Sequence, residues 1–221
     1  YLSFTAGLSG SFDTACLVRD QVLEEHPDFE LYVVDTLQAS LTEGLFIMEA
    51  LALREKGMTA KELVAWAEEA RYFVDELFMI DDLDVLKRGG RIPASVAVAG
   101  GKLDVKPLLN IDVDGHLGIA GVSRGRKKGF KQLLAYYEKN CFKEGGAHQV
   151  MVGGADCEHD VDRLIDMVQK ADPDAIIHKG NIGPVIGSHV GPGMIAVVFW
   201  GNDKRKTLSI SDRIARRVKG D

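Results

Sequence analysis

Four short stretches of this sequence hold residue types that could do chemistry. The first is Gly7-Leu8-Ser9-Gly10-Ser11, directly before a run with helical periodicity. Glycines let the chain turn tightly, and the free backbone N–H groups of a first helical turn attract an anion. The Ser9 and Ser11 hydroxyls add donors, although an ordinary helix cap after a turn would use the same residues. The second stretch, residues 181–193, has four glycines and two prolines in thirteen residues and reads as a rigid, irregular loop. His189 sits there between short residues, off any regular apolar face. An imidazole so placed is a candidate functional group, and a purely structural role stays open beside it. The third is Leu86-Lys87-Arg88-Gly89-Gly90-Arg91-Ile92. Arg91 follows the glycines and can reach a carboxylate with both arms of its guanidinium. The same cations would also suit a helix C-terminus with no ligand at all. The fourth is residues 123–131, with five basic residues in the eight positions from Arg124 to Lys131. They fall at a helix start, where the dipole disfavours cations, which points to a partner or phosphate surface or to a solvated basic face.

Other signals carry less. Asp156, Glu158, His159, Asp160 and Asp162 have metal-ligand types, but they crowd a helix start, where acids are favoured anyway. Asp81, Asp82 and Asp84 could serve as acids and bases; capping the first turn of a helix explains them as well. No H-E-x-x-H or G-x-x-x-x-G-K-[ST] motif occurs. Cys16, Cys141 and Cys157 are odd in number and form no C-x-x-C pair, as expected of reduced thiols in a cytosolic protein.

These residues need elements to hold them. A helix is expected after the first loop, capped by Ser9 or Ser11, with Phe12, Ala15 and Cys16 at helical spacing. A buried strand over 31–35, a helix over 42–55 and a third helix opened by Thr59 or Lys61 follow. The character changes near Leu77. A strand over 77–80, a short helix within 81–92 and strands over 105–112 and 116–122 are expected, with Asp114-Gly115 as the hairpin turn. Beyond them come a helix over 129–139, a strand over 149–153, a helix over 159–171 and strands over 175–178 and 194–200. The fold class is α/β in two domains: residues 1–76 with a parallel-sheet layer, and residues 77–201 with a mixed or antiparallel sheet and helices. Residues 202–221 form a charged tail, as a short helix or loose chain.

The bulk numbers agree with a globular protein. The 221 residues are 46% hydrophobic and 27% charged, enough for a core without disulfides or metal. A net charge of −6 argues against non-specific nucleic-acid binding. No apolar run approaches the roughly 20 residues of a membrane helix, and no signal peptide is legible. The expected location is the cytoplasm. The chain starts at Tyr1 without a methionine, and a segment is expected upstream of it.

Taken together, the motifs resemble those of the DegV family of bacterial fatty-acid-binding proteins, which includes the acyl-carrying subunits of fatty acid kinase. The resemblance is carried by Gly7-Leu8-Ser9-Gly10-Ser11-Phe12, by residues 82–92, by Lys106-Pro107-Leu108-Leu109, by Asp114-Gly115, by Arg124-Gly125-Arg126-Lys127-Lys128 and by residues 183–193, in family order. It implies two α/β domains with a buried acyl tunnel. It implies that Ser9 and His189 contact a fatty acid carboxylate, that Arg91 lies near the head group, and that Arg124 faces a kinase partner carrying ATP. A further Thr-Ser loop of the family would fall before Tyr1. Ser11 and Ser188 stand where the family usually has threonine. The implied role is a carrier with no catalysis of its own, no metal and no cofactor beyond the bound long-chain fatty acid. The alternative is an enzyme acting on a small phosphorylated or carboxylated substrate, with His189 as acid–base and Arg91 as anion clamp. A scaffold role is third.

Overall fold

Strands and helices alternate from the first residues onward. A computed structural model describes residues 1–93, 104–143 and 146–219. Strand β1 (Leu2–Ser3) pairs in parallel with β2 (Val34–Asp35), and helix α1 (Ser11–Glu25) lies between them in the chain. Helices α2 (Leu41–Glu55) and α3 (Ala60–Ala70) follow. Thr59 opens α3 with a capping box: its hydroxyl accepts from the Glu62 N–H, and the Glu62 carboxylate accepts from the Thr59 N–H at 2.8 Å.

The second sheet has six strands: β3 (Val74–Met79), β4 (Val105–Ile111), β5 (Leu117–Arg124), β6 (His148–Gly154), β7 (Ala175–Asn181) and β8 (Ile195–Trp200). Their spatial order is β5-β4-β3-β8-β6-β7. Only β6 and β7 run parallel, joined by the crossover helix α6 (Glu158–Ala171) below. Helices α4 (Asp84–Arg88), α5 (Arg126–Asn140) and α7 (Pro184–Val190) fill the other connections in chain order around it, and a 3-10 turn (Lys204–Thr207) leads to α8 (Ile210–Lys219). The fold is therefore the expected pair of α/β units, a small parallel sheet and a mixed one.

Every residue of β3 is buried, because both faces of the sheet are covered. Alternation sends Leu77 and Met79 to one face, where they meet Phe130 and Leu133 of α5 and Leu164 of α6. Phe78 and Ile80 point the other way, toward Phe46 of α2, Leu86 of α4 and Val190 of α7. On that second face Phe46, Trp66 and Trp200 pack together, with tilted rings whose centroids are 4.8 Å apart for Phe46–Trp66 and 6.2 Å for Trp66–Trp200.

Several elements differ from the sequence reading. The strand expected over 31–35 pairs only at Val34 and Asp35, and its partner β1 was not foreseen. Strand β3 starts three residues before Leu77. The segment read as an irregular loop is in large part the helix α7. Its glycines and prolines are start and stop signals: Gly183 is an extended N-cap, Pro184 takes the first turn, and Gly191 ends the helix at φ 77°. In α1 no residue is fully buried, although an apolar face was expected there. The tail forms a helix in its described part; Gly220 and Asp221 lie outside the described residues.

Candidate functional site

The second face of the large sheet is not filled by side chains. A cavity of about 330 Å³ lies there, bounded by Phe78 of β3, Ala196 and Val198 of β8, Leu86 of α4 and Ile186 and Val190 of α7. Leu8 and Ser9 of the first loop, and Ile111 and Leu117 beside the β4–β5 hairpin, complete this part of the wall. The lining is overwhelmingly apolar, as in sites that take small organic ligands.

The first loop reaches the cavity because it is fastened to the hairpin. The Thr5 hydroxyl donates to the Gly115 carbonyl at 3.1 Å. Gly7 lies so close that a Cβ there would come within 2.5 Å of the same oxygen. The Leu8 and Ser9 N–H groups both donate to the Thr5 carbonyl at 3.3 Å, which turns Ser9 inward at the head of α1. Gly10 holds the N-cap position, not Ser9 or Ser11; Ser9 Oγ nevertheless accepts from the Ser11 N–H at 3.2 Å and lies 2.7 Å from Ser11 Oγ.

His189 sits in the last turn of α7, which packs on α4. Its ring rests on Gly89, where a Cβ would fall 2.7 Å from Nδ1. The first glycine of the Gly-Gly-Arg run thus makes room for the imidazole. Arg91 follows, exposed, with Nη1 donating to the Gly89 carbonyl at 2.5 Å. Ser9, Arg91 and His189 all border the one cavity. Ser11, Ser40, Thr42 and Glu76 line it as well. A hydroxyl, an imidazole and a guanidinium on a mostly apolar wall are what a buried carboxylate or similar anion needs to stay charged.

The remaining candidates lie elsewhere. Arg124 ends β5 opposite Val105, is exposed and does not line the cavity. In the basic run, Arg126 is internal: it is paired with Asp160 and Asp81 and donates to the Gly193 carbonyl at 2.8 Å. The acids at the start of α6 are likewise engaged, Asp160 with Arg126 and both Glu158 and Asp162 with Lys179. No group of three or more potential ligands is placed to hold a metal ion among the described residues. Among them, too, no helix is long and apolar enough to cross a membrane.

Among the wall residues that the sequence reading missed is a buried acid. Glu76 of β3 lines the cavity and is 2% exposed. Its Oε1 accepts from the Ile111 N–H, and Lys204 Nζ lies 3.6 Å from Oε2. Burial pushes its carboxyl up to about 7, against the pull of Lys204. A strand boundary drawn at Leu77 hid it, and only the two acids inside the run Val74-Asp75-Glu76-Leu77 hinted at something unusual.

The relatives of the chain match this architecture. The DegV family of uncharacterised proteins matches residues 1–202. A DegV domain-containing protein of Clostridium perfringens is 35% identical over 204 residues, covering 92% of this chain and 70% of the relative. The structure of a stearic-acid-binding protein from Eubacterium ventriosum aligns with a TM-score of 0.75 and 27% identity, over 94% of this chain and 71% of that one. The Streptococcus pneumoniae fatty acid kinase B3 protein, loaded with linoleic acid, aligns with a TM-score of 0.80 over 91% of this chain and 70% of that one. At its 21% identity that last likeness is one of fold. With a match running from the first residue past the end of β8, the chain belongs to the DegV family.

Proposed function

We propose that the protein binds a long-chain fatty acid, with the carboxylate held by Ser9 and His189, Arg91 at its edge, and the chain in the apolar cavity. The observation that carries this reading is the cavity itself: about 330 Å³ behind mostly apolar walls, with Ser9, Arg91 and His189 among the polar side chains on its border. Each buried methylene contributes about 0.8 kcal/mol, so the walls supply affinity and the polar groups supply orientation. The stearic acid of the Eubacterium ventriosum protein and the linoleic acid of the Streptococcus pneumoniae protein support the ligand class.

On the same reading the chain is a carrier in the cytoplasm. It presents the carboxylate to a fatty acid kinase subunit that brings ATP and forms the acyl phosphate, and Arg124 is part of the surface that subunit meets. The fold likeness to a fatty acid kinase B3 protein supports the partner class. The exposure of Arg124 at a strand end, outside the cavity, suits a contact made without disturbing the ligand.

The test is direct. Mass spectrometry of ligand extracted from purified protein should find fatty acid, and the stripped protein should take up added stearic acid in a calorimetric titration. A protein that carries no lipid and takes up none would overturn the proposal. For the partner, Arg124→Glu should leave fatty acid affinity unchanged while abolishing acyl phosphate formation by a cognate kinase subunit. Undiminished turnover would remove Arg124 from the contact.

A further inference from the structure

An unsubstituted acyl chain has no use for Glu76. Along β3 and β8 the cavity is lined by Phe78, Ala196 and Val198. The next residues on that face, Val74 and Trp200, lie outside it, packed with Phe46 and Trp66. Glu76 stands opposite Val198 in the register, so it marks where the cavity stops along the sheet. The other end is at Met194, into which α7 and its His189 lead through Gly191. From Met194 to Val198 the strand rises about 13 Å, so a chain anchored near His189 meets Glu76 well along its length.

The carboxyl is incompletely satisfied. Oε1 accepts from the Ile111 N–H, but the buried Oε2 accepts no hydrogen bond. Lys204 offers charge without a hydrogen bond: it is 3.6 Å from Oε2 and donates instead to the Ile111 carbonyl at 3.0 Å. A buried acceptor with no donor is unfavourable, and a ligand group that supplies the donor relieves it. A hydroxyl does so without bringing a second charge into an apolar site. Asp75 cannot take this role, since alternation turns it to the opposite face, where the Tyr136 hydroxyl donates to it at 3.0 Å.

We propose that Glu76 makes this a site for fatty acids bearing a hydroxyl on the chain, the hydroxyl donating to Oε2 at the end of the cavity remote from His189. The inference rests on the fatty-acid reading above and adds the ligand's second polar group.

Calorimetric titration of stripped protein at about pH 8, where Glu76 is ionised and Oε2 can only accept, with stearic acid and with a set of hydroxystearic acids differing in hydroxyl position tests it. At least one isomer should bind about tenfold tighter than stearic acid, the weight of one good hydrogen bond to an otherwise unsatisfied group. In Glu76→Leu the order should reverse, with stearic acid the tighter ligand. Glu76→Met keeps much the same length and has no oxygen to accept the hydroxyl, so it too should lose the preference for that isomer; it carries the comparison if the leucine variant does not fold. Stearic acid binding as tightly as every isomer to the wild type would overturn the proposal. So would a hydroxyl preference that persists undiminished in Glu76→Leu. If neither stearic acid nor any isomer binds, it is the fatty-acid reading that fails.

Discussion

At the scale of single residues, the site joins side chains that the sequence keeps far apart, and each can be weighed separately. Ser9→Ala and His189→Ala each remove one polar contact to a carboxylate, so each should weaken stearic acid binding by about tenfold in a titration. Unchanged affinity in both would move the head group elsewhere on the wall. Glu76 makes a different kind of prediction. Its folded value of about 7 lies above the 4.5 of an ordinary glutamate. Between the two, the folded chain holds a proton that the unfolded chain has released, so raising the pH favours unfolding. The stability is undiminished below the lower value, falls through the window between them, and above it is lower by about 3 kcal/mol. Glu76→Gln should lack that fall, which urea unfolding of both proteins near about pH 5 and about pH 8 would measure. Equal slopes would mean that Glu76 stays solvated or fully paired. Ser9, Arg91 and His189 could be singled out in the sequence by neighbouring glycines, because turns and close approaches leave a compositional trace. Glu76 left only a pair of acids in an apolar run: what makes it unusual is a buried neighbourhood assembled from β4, β8 and the segment after β8.

At the scale of elements, the same contrast between local and long-range signals recurs. The start of helix α3 was legible to within two residues, Thr59 or Lys61, and the cap that Thr59 and Glu62 form across four positions places it at Thr59. Thr59→Ala should cost about 1 kcal/mol and lower Tm by roughly 2–4 °C, read by thermal melting, with ligand affinity unaffected. Helix α7 was misread because its punctuation is dense. Gly183, Pro184 and Gly191 look like loop residues until it is seen that they bracket seven helical positions. Strand β1 was beyond local reading, and β2 was read only as part of a longer strand, since two-residue strands acquire their bounds only from each other. The first loop is positioned by a contact more than a hundred residues away, and that contact is testable. Gly7→Ala would place a methyl 2.5 Å from the Gly115 backbone oxygen, which no side-chain rotation relieves. The loop must lift from the hairpin and take Ser9 with it. Stearic acid affinity should then fall at least as far as in Ser9→Ala, while the six-stranded sheet, and with it the far-ultraviolet dichroism, remains. Wild-type affinity in this variant would show that the fastening does not position Ser9.

At the scale of the whole molecule, the segment after β8 is two things joined end to end. Its first part is clamped to the body: Arg205 pairs with Glu69 and Asp203 and lies over the Tyr72 ring at 4.4 Å, while Lys204 reaches Glu76 and the Ile111 carbonyl. Its second part, α8, leaves Ile210, Ile214 and Val218 at 70%, 57% and 82% exposure, so these described apolar side chains add little packing to the rest. The sequence shows one charged tail; only the structure separates the halves, because the acids that hold Lys204 and Arg205 lie on β3 and α3. Ending the chain after Leu208 should therefore leave Tm almost unchanged. Ending it after Gly201 removes the clamp and strips Glu76 of its nearby cation, and breaking a buried pair in this way costs about 3–5 kcal/mol when the remaining group must stay charged. Glu76 has an escape that most buried acids lack near neutrality, since it already holds its proton up to about 7. The extra loss in the shorter chain should accordingly be small at low pH and grow as the pH rises past that value, whereas the lost Arg205 contacts weaken the chain equally at both. A pH-independent deficit would assign the clamp to Arg205 alone; a deficit that opens with pH assigns its larger share to the contact between Lys204 and the cavity wall.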